Sequence, residues 1–521
     1  DLNLYSSLED QDNTGVATRL SIAHQLLKPS QIWKLNLTTD VDYIQKNFRN
    51  LQGLYNPEFN RDWNLEQPTS NQLISNLGDQ VFVKSAAQLA HPEIGQFNYQ
   101  FQRLNYNENY EGQRHVVSAK LHLDRFQLFS NSSLLETDAI DSNSLFYRSN
   151  TCLKYNYKKG WAGVKFSTEH NEKKELVSNV LDPVSQKFKS YEVFKGLGDS
   201  TKVFAKIGYI HRVNDSLKNN RLTKVNASNT YYLDSKWIQT QNTELSLYAN
   251  YREFTTENSA SPSQKSVSSR LQYSQKIANN LVHWNTLFET NAGRLPQQDF
   301  TYVEVEPGQG SFVWFDYNGN GIQELEEFEV AQFQDQAIYI RVLLPNQVYI
   351  RTHQNKLSQS ITFNPIQWAN SSHSKKQFWS HFYNQTSFLI DRKDKNNSQS
   401  IRLNPFDSKA EDQLALQSNF RNQLFLNRGK QHYTFSYSYL KSKARNVLSF
   451  GYIELESVSH QINMTHKIQN QWLFNLQSNL DEISSESENF SSKNYQLIQS
   501  LLSPKISYLL DQNKRFDVFY Q

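Results

Sequence analysis

The chain predicts an all-β fold, a large antiparallel transmembrane β-barrel, and three observations lead there. Apolar and polar side chains alternate with a period of two along most of the sequence. Aromatic residues make up 13% of a chain that is only 37% hydrophobic. Turn-forming residues interrupt the alternation at intervals suited to strands. The alternation decides most. A strand turns successive side chains to opposite faces, so each such segment offers one apolar and one wet face. A barrel closed in a membrane needs both: lipid outside, water or polar filling inside.

The alternating segments follow one another along the chain. Val203, Ala205, Ile207 and Tyr209 alternate with Lys202, Phe204, Lys206 and Gly208. Leu245, Leu247, Ala249 and Tyr251 alternate with Ser246, Tyr248, Asn250 and Arg252. Residues 433–440 read Tyr-Thr-Phe-Ser-Tyr-Ser-Tyr-Leu, and Trp472, Phe474, Leu476 and Leu480 alternate with Leu473, Asn475, Gln477 and Asn479. Val203, Ala205, Ile207, Leu245, Leu247, Phe435, Tyr437, Phe474 and Leu476 are therefore expected to meet lipid. Asn250, Arg252, Ser436 and Gln477 are expected to face inward.

Short connectors include Leu27-Lys28-Pro29-Ser30, Lys158-Lys159-Gly160, Thr240-Gln241-Asn242 and Asn427-Arg428-Gly429-Lys430. Residues 50–79, 171–186, 215–226 and 391–411 read as long loops. Short turns at one rim and long loops at the other are the asymmetry of outer-membrane barrels. The count is about 20 strands, and residues 347–365 read as one long strand or two. Many candidates exceed the roughly 9–11 residues that cross a bilayer, so the sheet is expected to continue beyond it. Few windows carry apolar residues at helical spacing, and no fixed repeat suggests a propeller or solenoid.

Composition narrows the function classes. Mean hydropathy is −0.71, low for a soluble chain that must bury several cores. Disorder is opposed by the aromatic content and by a net charge of only +3. The 28 Tyr and 32 Phe suit strands that meet a membrane interface. Mixed charge near neutrality gives no case for nucleic acid. No run of about 18 apolar residues offers a transmembrane helix. The single cysteine, Cys152, allows no intrachain disulfide and is expected at an apolar strand position. The chain starts at Asp1 without a signal peptide and stops mid-pattern at Phe-Asp-Val-Phe-Tyr-Gln, which reads as a portion of a longer protein.

One segment has a different texture. Residues 298–336 hold Glu304, Glu306, Asp316, Glu324, Glu326, Glu327, Glu329 and Asp335, and read as an acidic insertion within the barrel. Inside lies Asp316-Tyr-Asn318-Gly-Asn320-Gly321-Ile322-Gln-Glu324-Leu-Glu-Glu327, the register of a twelve-position calcium loop. Asp316, Asn318 and Asn320 would supply side-chain oxygens, Ile322 its carbonyl, and Glu324 and Glu327 the later carboxylates. Ca²⁺ takes about six to eight hard oxygens, and the loop offers about that many. The alternative is a Gly/Asn turn capped by its own side chains, with no metal. Flanks that are not long helices make any calcium a structural staple rather than a helix-opening sensor.

Other motifs fail. No His-Glu-x-x-His, Gly-x-Ser-x-Gly or phosphate loop is present. Gly196 and Gly198 form a lone glycine pair read as a loop. His115 and His122 fall on opposite faces of one strand, so they are no metal pair. Neither catalytic nor cofactor-binding residues are expected, and the chain is not expected to be an enzyme.

The stretch from Asp299-Phe-Thr-Tyr-Val-Glu-Val-Glu-Pro-Gly-Gln-Gly through the Asp316 loop to Gln334-Asp-Gln-Ala-Ile-Tyr-Ile-Arg-Val resembles a signature of Bacteroidota proteins. The resemblance is to large outer-membrane or cell-surface proteins that carry no agreed activity, and it continues through residues 467–521. It implies a β-rich fold and a bacterial outer-membrane location. The chain departs from the TonB-dependent importers of that phylum in showing neither a TonB box nor a plug domain. The expected function is transport, secretion or envelope assembly, with outer-membrane lipid and other envelope proteins or lipoproteins as partners. The rivals are a surface adhesion or structural sheet protein and, third, an outer-membrane enzyme.

Overall fold

The computed structural model describes residues 15–520 apart from 29, 47, 49–57, 66–77, 108, 258–262, 317–318, 320, 322, 324–326, 332, 397–402, 407–411, 431, 449–450, 470, 489–492 and 510–514. The chain divides into two compact units, residues 1–233 with 251–265, and residues 234–250 with 266–521. Both are antiparallel β-sheet. No described helix is long and apolar enough to cross a membrane.

In the first unit ten strands follow in chain order: β1 (Ala17–Gln25), β2 (Lys34–Ile44), β3 (Gln80–His91), β4 (Gly95–Tyr106), β5 (Tyr110–Leu123), β6 (Phe126–Ala139), β7 (Ser142–Tyr157), β8 (Gly160–Glu175), β9 (Gln186–Gly198) and β10 (Phe204–Lys218). Each pairs antiparallel with the next. Strands β11 (Arg221–Gln239) and β12 (Thr243–Thr256) each contribute to both units.

The second unit continues with β13 (Gln264–Ile277), β14 (Val282–Glu304), β15 (Phe312–Trp314), β16 (Phe328–Val330), β17 (Tyr339–Phe363), β18 (Phe382–Lys395), β19 (Gln413–Leu426), β20 (Tyr433–Leu448), β21 (Gly451–Ile468), β22 (Trp472–Ser487), β23 (Tyr495–Leu509) and β24 (Arg515–Phe519). Here β14 pairs with β17, and the small β15–β16 hairpin lies between them in sequence. Residues 347–363 belong to one strand, β17.

Register turns the dyad pattern into faces. In the first unit Leu121, Leu128, Leu153, Val164, Val193 and Tyr209 stand opposite one another across six strands. A neighbouring row on the other face reads Asn131, Asn150, Ser167, Ser190 and Arg212. In the second unit Phe382, Leu426, Phe435, Met464, Leu476 and Pro504 share one row. Its wet counterpart is Thr362, Gln385, Gln423, Ser438, Gln461 and Asn479. Ser436 and Gln477 share another wet row with Asn463, as expected.

The apolar face is uncovered. Val193, Val164 and Ile207 are 57%, 51% and 60% exposed. The hydroxyls that interrupt it satisfy one another: Ser130 bonds Thr151, and Ser132 bonds Ser149, both at 2.8 Å. On β20 the apolar run ends after Tyr439. The same face then carries Lys441 and Lys443, paired with Glu456 and Glu454 of β21.

Three readings of the sequence are corrected. Residues 215–226 are no long loop: β10 runs to Lys218 and β11 starts at Arg221. Asn219 and Asn220 between them both take positive φ, 52° and 56°, the conformation of a two-residue hairpin turn that asparagine tolerates. Gly196 and Gly198 lie at the end of β9 rather than in a loop, and a Cβ on Gly196 would stand 2.2 Å from the Trp161 ring. Cys152 falls on the wet face, opposite Lys165 in register, because Leu153 and Leu145 hold the apolar side of β7.

Candidate functional site

The wet face of the first unit carries a cavity of about 990 Å³. Charged groups on its wall include Asp62, Arg114, Arg148, Lys165, Glu169, Glu192, Arg212 and Arg252, interleaved with Ser, Thr and Asn side chains. Strict alternation places them together. Arg148, Glu169 and Asn214 occupy one register row, and Ser167, Ser190 and Arg212 the next. The expectation that Arg252 faces inward is met by its place on this wall.

One side of the cavity is made by a segment that the sequence assigned to a long loop. Within residues 50–79, a single helical turn, α1 (Phe59–Asp62), leads into Trp63, which is 1% exposed. Trp63 packs with Leu104, Tyr106, Tyr110, Leu135 and Phe146 on the wet side of β4–β7. Its ring meets Phe82 edge-on at 5.7 Å, and the Tyr110 hydroxyl donates to its carbonyl at 2.5 Å. Gly112 of β5 leaves room for it: a Cβ there would lie 3.0 Å from the indole and 2.6 Å from the Tyr110 oxygen.

Polar tethers hold the same segment. Asp62 accepts from Arg148 at 2.7 Å and from Arg114 at 3.3 Å. Arg61 donates to Glu169 at 3.1 Å, and Gln186 donates to that carboxylate at 3.0 Å. The Asn64 amide donates to Ser144 at 2.9 Å and to Asn171 at 2.8 Å. Deeper in the wall, Glu192 accepts from the Tyr232 hydroxyl at 2.5 Å and lies 3.5 Å from Lys206. Arg212 stacks 3.9 Å over the Phe188 ring and donates through Nε to Asn214. Nothing in the residue spacing pointed to the cavity. The clue available was the set of Arg and Lys at wet-face positions of β7, β8 and β10, among them Arg148, Lys154, Lys165, Lys206 and Arg212.

The calcium-loop residues are placed in part. Asn318, Asn320, Ile322 and Glu324 lie outside the described residues. Asp316 and Glu327 stand at the neck of the β15–β16 hairpin, where Trp314 pairs with Phe328 and the Phe315 N–H donates to the Glu327 carbonyl at 2.9 Å. The hairpin thus brings loop positions one and twelve side by side. Asp316 accepts from the N–H groups of Gly319 and Gly321, at 2.7 and 2.9 Å. Glu327 is 3% exposed and accepts from the Trp314 indole at 2.8 Å. Beneath the neck, Phe328 stacks on Tyr302 at 4.0 Å, and Phe312 and Tyr339 are buried. Asp316 and Glu327 contribute carboxylate oxygens, the donor type that a hard cation such as Ca²⁺ takes.

Among solved structures, the chain is similar to the siderophore receptor PirA from Pseudomonas aeruginosa, with a TM-score of 0.35 and 9% identity over 94% of this chain and 77% of that one. It is similar to the ferric enterobactin receptor PfeA of the same organism, with a TM-score of 0.29 and 8% identity over 96% and 75% of the two chains. A third similarity is to OccK8 (OprE) from Pseudomonas aeruginosa, with a TM-score of 0.24 and 10% identity over 78% and 93%. No family model and no curated protein matches the chain.

Proposed function

We propose that the chain forms an outer-membrane β-barrel acting in transport, secretion or envelope assembly rather than catalysis. The observation that carries this reading is an uncovered apolar face set, within each unit, against a face with rows of polar side chains. A row such as Leu121–Leu128–Leu153–Val164–Val193 left in water forfeits the hydrophobic gain that holds ordinary sheets together, roughly 25 cal/mol per Å². Lipid covers it without a protein partner. The change from Tyr439 to the Lys441/Glu456 and Lys443/Glu454 pairs then marks where β20 leaves the hydrocarbon.

The test is membrane extraction followed by electrophoresis with and without heating. Release only by detergent, with faster migration of the unheated protein, supports the barrel. Release by salt or alkali with unchanged mobility favours a surface adhesion or structural sheet.

Within that protein, residues 316–327 are proposed to hold one Ca²⁺ outside the bilayer, through Asp316, Asn318, Asn320, Glu324, Glu327 and the carbonyl of Ile322. The hairpin neck that juxtaposes Asp316 and Glu327 supports this reading. Calcium titration of the purified protein, followed by isothermal calorimetry, tests it.

A further inference from the structure

The carboxylates of the cavity wall are all engaged with cations. Asp62 takes Arg114 and Arg148, Glu169 takes Arg61, and Glu192 takes Lys206. Three cations remain. Among the described residues Lys165, Arg212 and Arg252 form no ion pair within 4.0 Å; Arg212 feels the Glu169 charge only from farther away, and all three line the same cavity. Arg212 is held flat on Phe188 with Nε committed to Asn214, which leaves its Nη edge available to an acceptor.

Register fixes how far apart these groups stand. Lys165 and Arg212 are two strands and one wet-face row apart, across Glu192 and Ser190. With strands about 4.8 Å apart and same-face residues about 6.8 Å apart, their Cα atoms are separated by roughly 12 Å. Two long side chains can close that gap on a single solute. Ser190 between them adds a hydroxyl donor that an oxyanion can use, whereas the Ser167 hydroxyl already donates to Asn150 at 3.2 Å. A volume of about 990 Å³ accommodates a small molecule.

We propose that this cavity binds a small solute bearing oxyanion groups, carboxylate or phosphate, held by Arg212, Arg252 and Lys165. Arginine presents its paired N–H donors to such groups in a matching geometry, and lysine adds a point charge. Three like charges on one wall repel one another, and a bound polyanion removes that repulsion. The inference rests on the barrel reading only in that the lumen is the solute's route to the site; binding itself does not require transport.

The experiment therefore measures binding and passage separately. The purified full chain in neutral detergent is titrated with citrate, inorganic pyrophosphate and glucose at low ionic strength, where the Debye length is about 30 Å. Citrate, pyrophosphate or both should bind, glucose should not, and affinity should fall as salt rises. The double variant Arg212→Gln/Arg252→Gln should weaken the anion by at least about tenfold. Lys165→Gln, which removes no described hydrogen bond, should weaken it to a smaller extent. Absence of binding by both anions, or equal affinity in the double variant with an unchanged circular dichroism spectrum, overturns the proposal. Liposome swelling with the same solutes addresses the transport reading. Binding without swelling would sink transport alone, and swelling without binding would sink the anion site alone.

Discussion

Trp63→Ala probes how the α1 segment is held against the wet face of the first unit. The indole is 1% exposed and lies against Phe82, Leu104, Tyr110, Leu135 and Phe146. An aromatic side chain burying roughly 200 Å² contributes about 5 kcal/mol at 25 cal/mol per Å². Truncations of this kind in cores cost about 3–5 kcal/mol. The neutral tethers from Asn64 and Tyr110 contribute about 1 kcal/mol each, and the Asp62 pairs somewhat more. The indole is thus the largest single contribution to docking. The strands have their own ladders on both sides, so the loss falls on the segment. At 1.4 kcal/mol per decade, protection of the Asp62, Trp63 and Leu65 amides, which bond back to Glu58, Phe59 and Asn60, should drop by about two to three and a half decades. Hydrogen exchange with fragment-level mass spectrometry reads this directly, with β4–β6 as the internal reference. Equal exchange of residues 58–65 in both proteins would refute the claim that Trp63 anchors the segment. Uniform loss across β4–β6 would show instead that the indole supports the sheet.

Further outcomes follow from the two faces, the acidic loop and one turn. Val193→Arg, in the middle of an apolar row, should cost about 2–4 kcal/mol in a lipid or micelle environment, whereas Gln477→Lys on a wet row should change stability little; urea unfolding in vesicles distinguishes them. If calcium staples residues 316–327, chelation or Asp316→Ala should increase proteolysis between Pro307 and Gln336 while the strands stay intact. Equal protection with and without chelator would return that loop to a bare turn. At the β9–β10 turn, the N–H and hydroxyl of Thr201 both donate to Asp199, at 2.9 and 2.7 Å, and hold its carboxyl below the usual range, the backbone N–H contributing most. A depressed carboxylate stabilises the folded turn above its unfolded pKa of about 3.9, and that contribution is lost as pH falls through the lower folded value. Exchange of the Thr201 amide, corrected for intrinsic rates, should therefore accelerate only at acid pH, and Asp199→Asn should flatten the profile.

The sequence by itself determined the strands and the chemistry of their faces. Alternation is local: once Phe435 and Tyr437 take one side, Ser436 and Ser438 must take the other, and register carries that choice to Met464, Leu476, Gln461 and Asn479. Turn lengths were less legible, because polar residues such as Ser216 and Lys218 serve equally in a loop and on the wet face of a strand. Tertiary structure alone decided what fills the concave side of the first unit. Asp62 meets Arg114 and Arg148 across 52 and 86 residues of chain, and Trp63 finds its place because β5 offers a glycine at residue 112. Such contacts depend on strand order and on the summed register of several hairpins. No window of sequence contains them. The same holds for the division of the cavity's cations into those neutralised by carboxylates and those left facing the interior: each charge is visible in the sequence, but its partner is set by which strands stand side by side.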